Sequence, residues 1–147
     1  KQCNAVDLCE GIVQTLEGIK QTQAEIFFKT ALTSLEIETD TLRLHQVLIN
    51  ILVNATKFTK EGSITLQLEQ NEKGMAQFSI TDTGCGIPLE KQGLIFERFE
   101  KLDEFSQGSG LGLTICRIIA EHLGGEVNID PEYTNGARFV FTHPYIN

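Results

Sequence analysis

The sequence has little positive charge, no long hydrophobic run, no paired cysteine motif and no internal repeat. Each shortage closes off a class of function. Lys and Arg number 12 against 20 Asp and Glu, for a net charge of −8. Binding nucleic acid without regard to sequence needs a basic stripe, which this balance does not supply. An anionic ligand must be held by local donors or by a cation. The longest apolar stretch, residues 47–53, is broken by Asn50, so nothing reads as a bilayer span. Lys1 opens the chain without a signal-peptide pattern. Cys3, Cys9, Cys85 and Cys116 form no CxxC pair and lie beside few histidines. That usage fits free thiols in a reducing cytosol rather than a disulfide scaffold. What is present suits one globular core: 147 residues, 41% hydrophobic and 22% charged. The chain is expected to be a single domain cut from a longer protein.

Periodicity supplies the elements. Over residues 7–20, Leu8, Ile12, Leu16 and Ile19 recur at helical steps. Residues 26–30 and 35–38 read as short strands rich in aromatic and β-branched side chains. Asp40 is a candidate N-cap for a long helix to about Phe58, with Leu44, Val47, Leu48, Ile51, Leu52 and Ala55 on its apolar side. Ile64, Leu66 and Leu68 alternate with polar residues, as do Ala76, Phe78 and Ile80, which predicts an antiparallel hairpin turning at 71–74. A glycine-containing loop over 82–88 leads to a short helical piece near 92–99. A polar stretch, 101–107, precedes a helix over 113–123 that Gly124-Gly125 caps. Strands near 126–130 and 137–142 close the chain around a turn at Asn135-Gly136. The expected architecture is α/β, with helices on one face of a mixed sheet.

Three features carry chemistry. Asn50, Asn54 and Lys57 form one polar stripe on the long helix, yet the asparagines interrupt its most apolar segment. A buried amide costs about 1–3 kcal/mol unless something bonds it. They are either core-edge amides bonded to their neighbours or a ligand-facing row offering oxygens to a hard cation and an ammonium to phosphate. Asp82-Thr83-Gly84-Cys85-Gly86-Ile87 follows a strand directly. It is either a simple turn with a local cap, or a close backbone approach to a flat ligand whose exocyclic amine meets the carboxylate. Gly108-Ser109-Gly110-Leu111-Gly112-Leu113 leads into a helix, where exposed amides at the positive end of the dipole suit phosphate. No Gly-Lys-Ser/Thr follows, so it is not a Walker A loop, and no strand precedes it as a Rossmann turn requires.

Taken in order, Asn-x3-Asn-x2-Lys-Phe-Thr, DTGCGI, IFERFEK and GSGLGL resemble the catalytic, ATP-binding domain of sensor histidine kinases. That domain shares a superfamily with gyrase, the heat-shock chaperone ATPases and the mismatch-repair ATPases. The resemblance covers residues 7–145. It implies a two-layer α/β sandwich of helices on a mixed, mostly antiparallel sheet, with ATP and Mg2+ as cofactors. It places Asn54 on Mg2+, Asn50 beside the phosphates, and Lys57 and Lys101 on phosphate. Phe58 takes the aromatic position beside them. Asp82 would bond the adenine amine, with Gly84, Gly86 and Ile87 shaping the base pocket. Phe96 and Phe99 would anchor the lid. Gly108, Ser109, Gly110 and Gly112, with the amides of Leu111 and Leu113, would wrap the phosphates.

Some positions depart from the family pattern. Ala137 and Arg138 follow Gly136 where many members carry Ser or Thr, and residues 100–107 are short for a lid. Hydrolytic members place a glutamate where this chain has Asn50, and a neutral amide is a poor general base. The chain is therefore expected to hold ATP for another nucleophile. His45, His122 and His143 read as surface or capping residues rather than as the phosphoacceptor. The resemblance assigns that role to a histidine on a separate helical dimerisation domain, with a response regulator receiver domain downstream. An anti-sigma-type serine kinase and a non-catalytic nucleotide-binding module are the alternatives. No nucleic acid and no direct membrane contact are expected of this domain. Its expected location is cytoplasmic, with anchoring of the parent in the inner membrane left open.

Overall fold

The computed structural model describes residues 1–19, 23–84, 86 and 111–146. Along them run β1 (Gln2–Asn4), α1 (Ala5–Ile19), β2 (Glu25–Thr30), β3 (Glu36–Glu38) and α2 (Thr41–Phe58). Then come β4 (Ser63–Gln70), β5 (Met75–Asp82), α3 (Leu111–His122), β6 (Val127–Ile129) and β7 (Arg138–Pro144). The short helix expected near 92–99 and the polar segment 101–107 lie outside the described residues.

Five strands form the main sheet in the order β2-β4-β5-β7-β6. β2 pairs parallel with β4, and the other neighbours are antiparallel. The register aligns Ile26 with Ile64, Leu66 with Ile80, Leu68 with Phe78, and Phe78 with Phe141. Strand parity therefore gathers the apolar residues on one face, where all of these are buried. Thr65, Gln67, Gln77 and Thr81 occupy the other. Helices α1, α2 and α3 pack against the strands, and Leu44, Leu48, Ile51, Leu52, Cys116 and Ala120 join the same core. Each fully buried Leu, Ile or Phe contributes about 1.5–3 kcal/mol of transfer free energy. The observed fold is the expected two-layer α/β sandwich, with a mixed, mostly antiparallel sheet.

Local signals fix the ends. Asp40 caps α2, its carboxylate accepting from the Arg43 amide at 3.3 Å. At the end of α3 the Gly125 amide donates to the Ala120 carbonyl at 2.9 Å and that of Gly124 to Glu121 at 3.1 Å, a Schellman stop. Strand β1 was not foreseen. Its three residues carry no alternation, and it exists through antiparallel pairing with β3. Among the described residues no helix is long and apolar enough to cross a membrane.

His143 corrects the surface reading. It sits on the inward face of β7, two residues beyond Phe141, and is 1% exposed. Its Nδ1 lies 2.6 Å from the Pro144 carbonyl oxygen and its Nε2 2.9 Å from the Thr39 hydroxyl. A carbonyl only accepts, so Nδ1 carries the proton and Nε2 receives that of Thr39. His45 and His122 are exposed, as expected. Burial lowers the His143 pKa, and the Pro144 carbonyl offsets part of that. The unfolded chain thus charges this imidazole below about pH 6.5 while the folded chain still holds it neutral. Stability therefore falls as the pH drops below that value. We predict a lower thermal midpoint at about pH 5.5 than at about pH 7.5, with a smaller difference in His143→Gln. An equal difference in the two proteins contradicts the assignment.

Candidate functional site

Strand parity that buries Phe78 and Ile80 turns Asp82, the last residue of β5, toward the helices as well. Asp82 is 2% exposed. Its Oδ1 accepts the amides of Gly84 at 2.9 Å and Ala137 at 3.1 Å, and the buried Thr59 side chain lies close enough to favour its charged form. Among the described residues no cation pairs with it. Burial raises the pKa of this carboxyl, and the Gly84 and Ala137 amides, with the Thr59 side chain, pull it partly back. Both backbone donors fall on Oδ1, so Oδ2 keeps acceptor capacity toward the end of the strand.

The surroundings hold the carboxylate tightly. The Asp82 amide donates to the Ala137 carbonyl at 2.9 Å, extending the β5–β7 pairing past its regular end. Gly136 has φ +148°, and a Cβ there would overlap the Asp82 carbonyl oxygen and lie 3.0 Å from Oδ1. A Cβ on Gly86 would come within 2.9 Å of the Gly136 carbonyl oxygen. Tyr133 donates its hydroxyl to the Asp82 carbonyl at 3.4 Å, and the Arg138 guanidinium stacks over the Tyr133 ring at 4.4 Å. Arg138 also reaches the Thr81 hydroxyl at 3.0 Å. Ala137, the departure from a Ser/Thr pattern, meets Asp82 through its backbone amide.

Helix α2 supplies the polar stripe. Asn50 and Asn54 are half-buried and Lys57 is exposed. Among the described residues the Asn54 amide has no hydrogen-bond partner, and the Cys116 thiol of α3 donates to the Val47 carbonyl of α2 at 3.7 Å. Phe58 ends α2, and Thr59, the buried C-cap residue, follows it directly. Leu111, Gly112 and Leu113 form the first turn of α3, with Leu113 buried. Cys85, Ile87, Phe96, Phe99, Lys101, Gly108, Ser109 and Gly110 lie outside the described residues. Pattern reasoning missed Thr59, Tyr133 and the Ala137 amide. Thr59 alone left a signal, as the last letter of the Lys-Phe-Thr motif.

Residues 39–147 match the family described as histidine kinase-, DNA gyrase B-, and HSP90-like ATPase. The chain belongs to this family. Among curated relatives it is 32% identical over 112 residues to the aerobic respiration control sensor protein ArcB of Escherichia coli K12. That alignment covers 73% of this chain and 14% of ArcB, so the chain spans a small part of that relative. The catalytic domain of the histidine kinase ThkA superposes with a TM-score of 0.85 at 32% identity, over 98% of this chain and 94% of that one. Full-length ShkA in complex with AMPPNP superposes with a TM-score of 0.87 at 29% identity, over 100% of this chain and 31% of that one.

The packing around Asp82 is testable through its glycine. Gly136→Ala should cost on the order of 2–4 kcal/mol, because backbone must move. Gly74 also has positive φ (+78°) but open space around it, so Gly74→Ala should cost only about 1 kcal/mol. Equal losses in urea unfolding contradict the close packing described.

Proposed function

We propose that the chain is the ATP-binding catalytic domain of a longer kinase, and that it donates the γ-phosphate to a histidine on a separate helical dimerisation domain. The observation that carries this reading is Asp82, a buried carboxylate with no cation beside it among the described residues. Burying such a group is costly, and its unused acceptor suits an exocyclic amine such as that of adenine. Gly84 and Gly86 let the backbone approach the base, with Ile87 beside them. The AMPPNP in the complex of the similar protein ShkA supports nucleotide binding by this fold.

Magnesium fits the residues present. The half-buried Asn54 amide, without a partner among the described residues, offers a hard oxygen of the kind Mg2+ accepts. When bound there, the ion would neutralise phosphate charge. Asn50, Lys57 and Phe58 would complete the phosphate side with the first amides of α3, and the resemblance assigns Lys101 and residues 108–110 to the same phosphates. Asn50 stands where a water-activating glutamate would be needed, so the site binds and orients ATP without activating water. In transfer, a bond forms between the acceptor imidazole nitrogen and the γ-phosphorus while the bond to the β–γ bridging oxygen breaks, leaving ADP. Positioning and charge neutralisation carry such a step. His45 and His122 are surface residues and His143 is already bonded on both nitrogens, so the acceptor is external. A response regulator receiver domain would take the phosphate onward, in the cytoplasm.

Incubation with Mg-ATP and a histidine-bearing dimerisation domain should give acid-labile phosphate on that domain. Acid-stable phosphate on serine, or no transfer, contradicts the proposal. In binding experiments Asn54→Ala should weaken Mg-ATP by tenfold or more, roughly one charge-assisted contact, while metal-free adenosine is little changed. Asp82→Asn should weaken both. It should nonetheless fold at least as stably at neutral pH, because a raised folded pKa marks a charge whose burial opposes folding above that pKa. Full adenosine affinity in Asp82→Asn would falsify the base-reading role.

A further inference from the structure

The loop between β6 and β7 carries an aromatic side chain that the proposed chemistry leaves without a task. Tyr133 is half-buried, and its hydroxyl lies 3.4 Å from the main-chain carbonyl oxygen of Asp82. A carbonyl only accepts, so the phenol donates its proton there. Over the Tyr133 ring lies the Arg138 guanidinium, 4.4 Å from the ring centroid. Arg138 is fixed in turn. Its Nε donates to the Thr81 hydroxyl at 3.0 Å, and its Nη1 lies 3.5 Å from the Asp130 carboxylate. The Asp130 amide donates to the Arg138 carbonyl at 2.8 Å, which ties the start of the loop to β7. Thr81 and Asp82 are the last two residues of β5, and alternation turns their side chains to opposite faces of the sheet. The end of the strand is thus held from the outer face, while the carboxylate stands on the inner one.

We propose that Tyr133 and Arg138 are positioning residues for base recognition. Tyr133 pins the main chain of Asp82, Arg138 keeps the phenol ring in place, and the carboxylate is thereby aimed at the exocyclic amine. This rests on the ATP reading given above. The β5–β7 ladder ends at the pair Thr81 and Arg138, so Asp82 stands one step beyond it, where the chain turns into the glycine-containing loop. Two bonds hold its main chain there: the amide donates to the Ala137 carbonyl at 2.9 Å, and the carbonyl accepts from Tyr133. Without the second, the peptide after Asp82 is free to tilt about the first, and the carboxylate tilts with it. A hydrogen bond weakens steeply with misalignment, so a small tilt costs part of the contact to the amine.

Two measurements test this. The first compares affinity for ATP with that for purine riboside triphosphate, which carries a hydrogen in place of the amine, at equal Mg2+ in the parent, Tyr133→Phe and Arg138→Met. Phenylalanine keeps the ring and its stack and removes only the hydroxyl. The preference for ATP should fall by about threefold in Tyr133→Phe, the worth of one neutral hydrogen bond, and at least as far in Arg138→Met. Affinity for purine riboside triphosphate should change little, whereas a general loss of structure would weaken both nucleotides alike. Parent-like preference in Tyr133→Phe, or equal weakening of the two nucleotides, overturns the proposal. The second measurement needs no ligand. In Tyr133→Phe, NMR should show faster hydrogen exchange than in the parent for the Gly84 and Ala137 amides, which donate to the Asp82 carboxylate, with the mid-strand amide of Phe78 unchanged. Parent-like exchange at Gly84 and Ala137, or an equal rise at Phe78, overturns the proposal. A parent that binds no ATP, or binds it no better than purine riboside triphosphate, instead overturns the reading on which this rests, with the exchange result still deciding whether Tyr133 holds the carboxylate in place.

Discussion

A negative charge buried without a counter-ion at the end of β5 is the constraint on which the rest of the site depends. Such a group is tolerated only where donors are fixed around it, and here two backbone amides supply them. They come from different parts of the chain: the loop after β5 and the residue that leads into β7. The carboxylate thus ties these segments together, and their packing leaves no room for a side chain at Gly136. Fold and site are coupled at this residue. The alternation that makes β5 a half-buried strand is also what turns Asp82 inward.

The second wall of the site is set by helix packing. Helix α2 buries its apolar side against the sheet and α3, which leaves Asn50, Asn54 and Lys57 as a row on its remaining face. Both asparagines are half-buried, and Asn54 has no hydrogen-bond partner among the described residues.

Much of this was legible in the sequence, and the reasons are physical. Period-two alternation over 64–68 and 76–80 defined the hairpin, and period-3.6 spacing defined α1, α2 and α3, because burial of one face dictates both patterns. Asp40 and Gly124-Gly125 marked helix ends through specific backbone hydrogen bonds. The order of the motifs, rather than any one of them, identified the ATPase family. What stayed hidden depends on pairing at long range. Three residues of β1 acquire strand geometry only from β3, and His143 is buried because β7 carries its inward parity one step past Phe141. The Ala137 amide and the Tyr133 hydroxyl reach Asp82 across more than fifty residues of chain, so no local pattern announces them.

The central claim is that Asp82 reads an exocyclic amine, and the most direct measurement compares two nucleotides that differ only there. Purine riboside triphosphate carries a hydrogen where ATP carries the amine and keeps N1 as an acceptor, so a carboxylate facing that edge loses its hydrogen bond. The account predicts that the chain binds ATP at least about tenfold more tightly than purine riboside triphosphate at equal Mg2+, the cost of leaving one buried charged acceptor unpaired. Equal affinity for the two would contradict it.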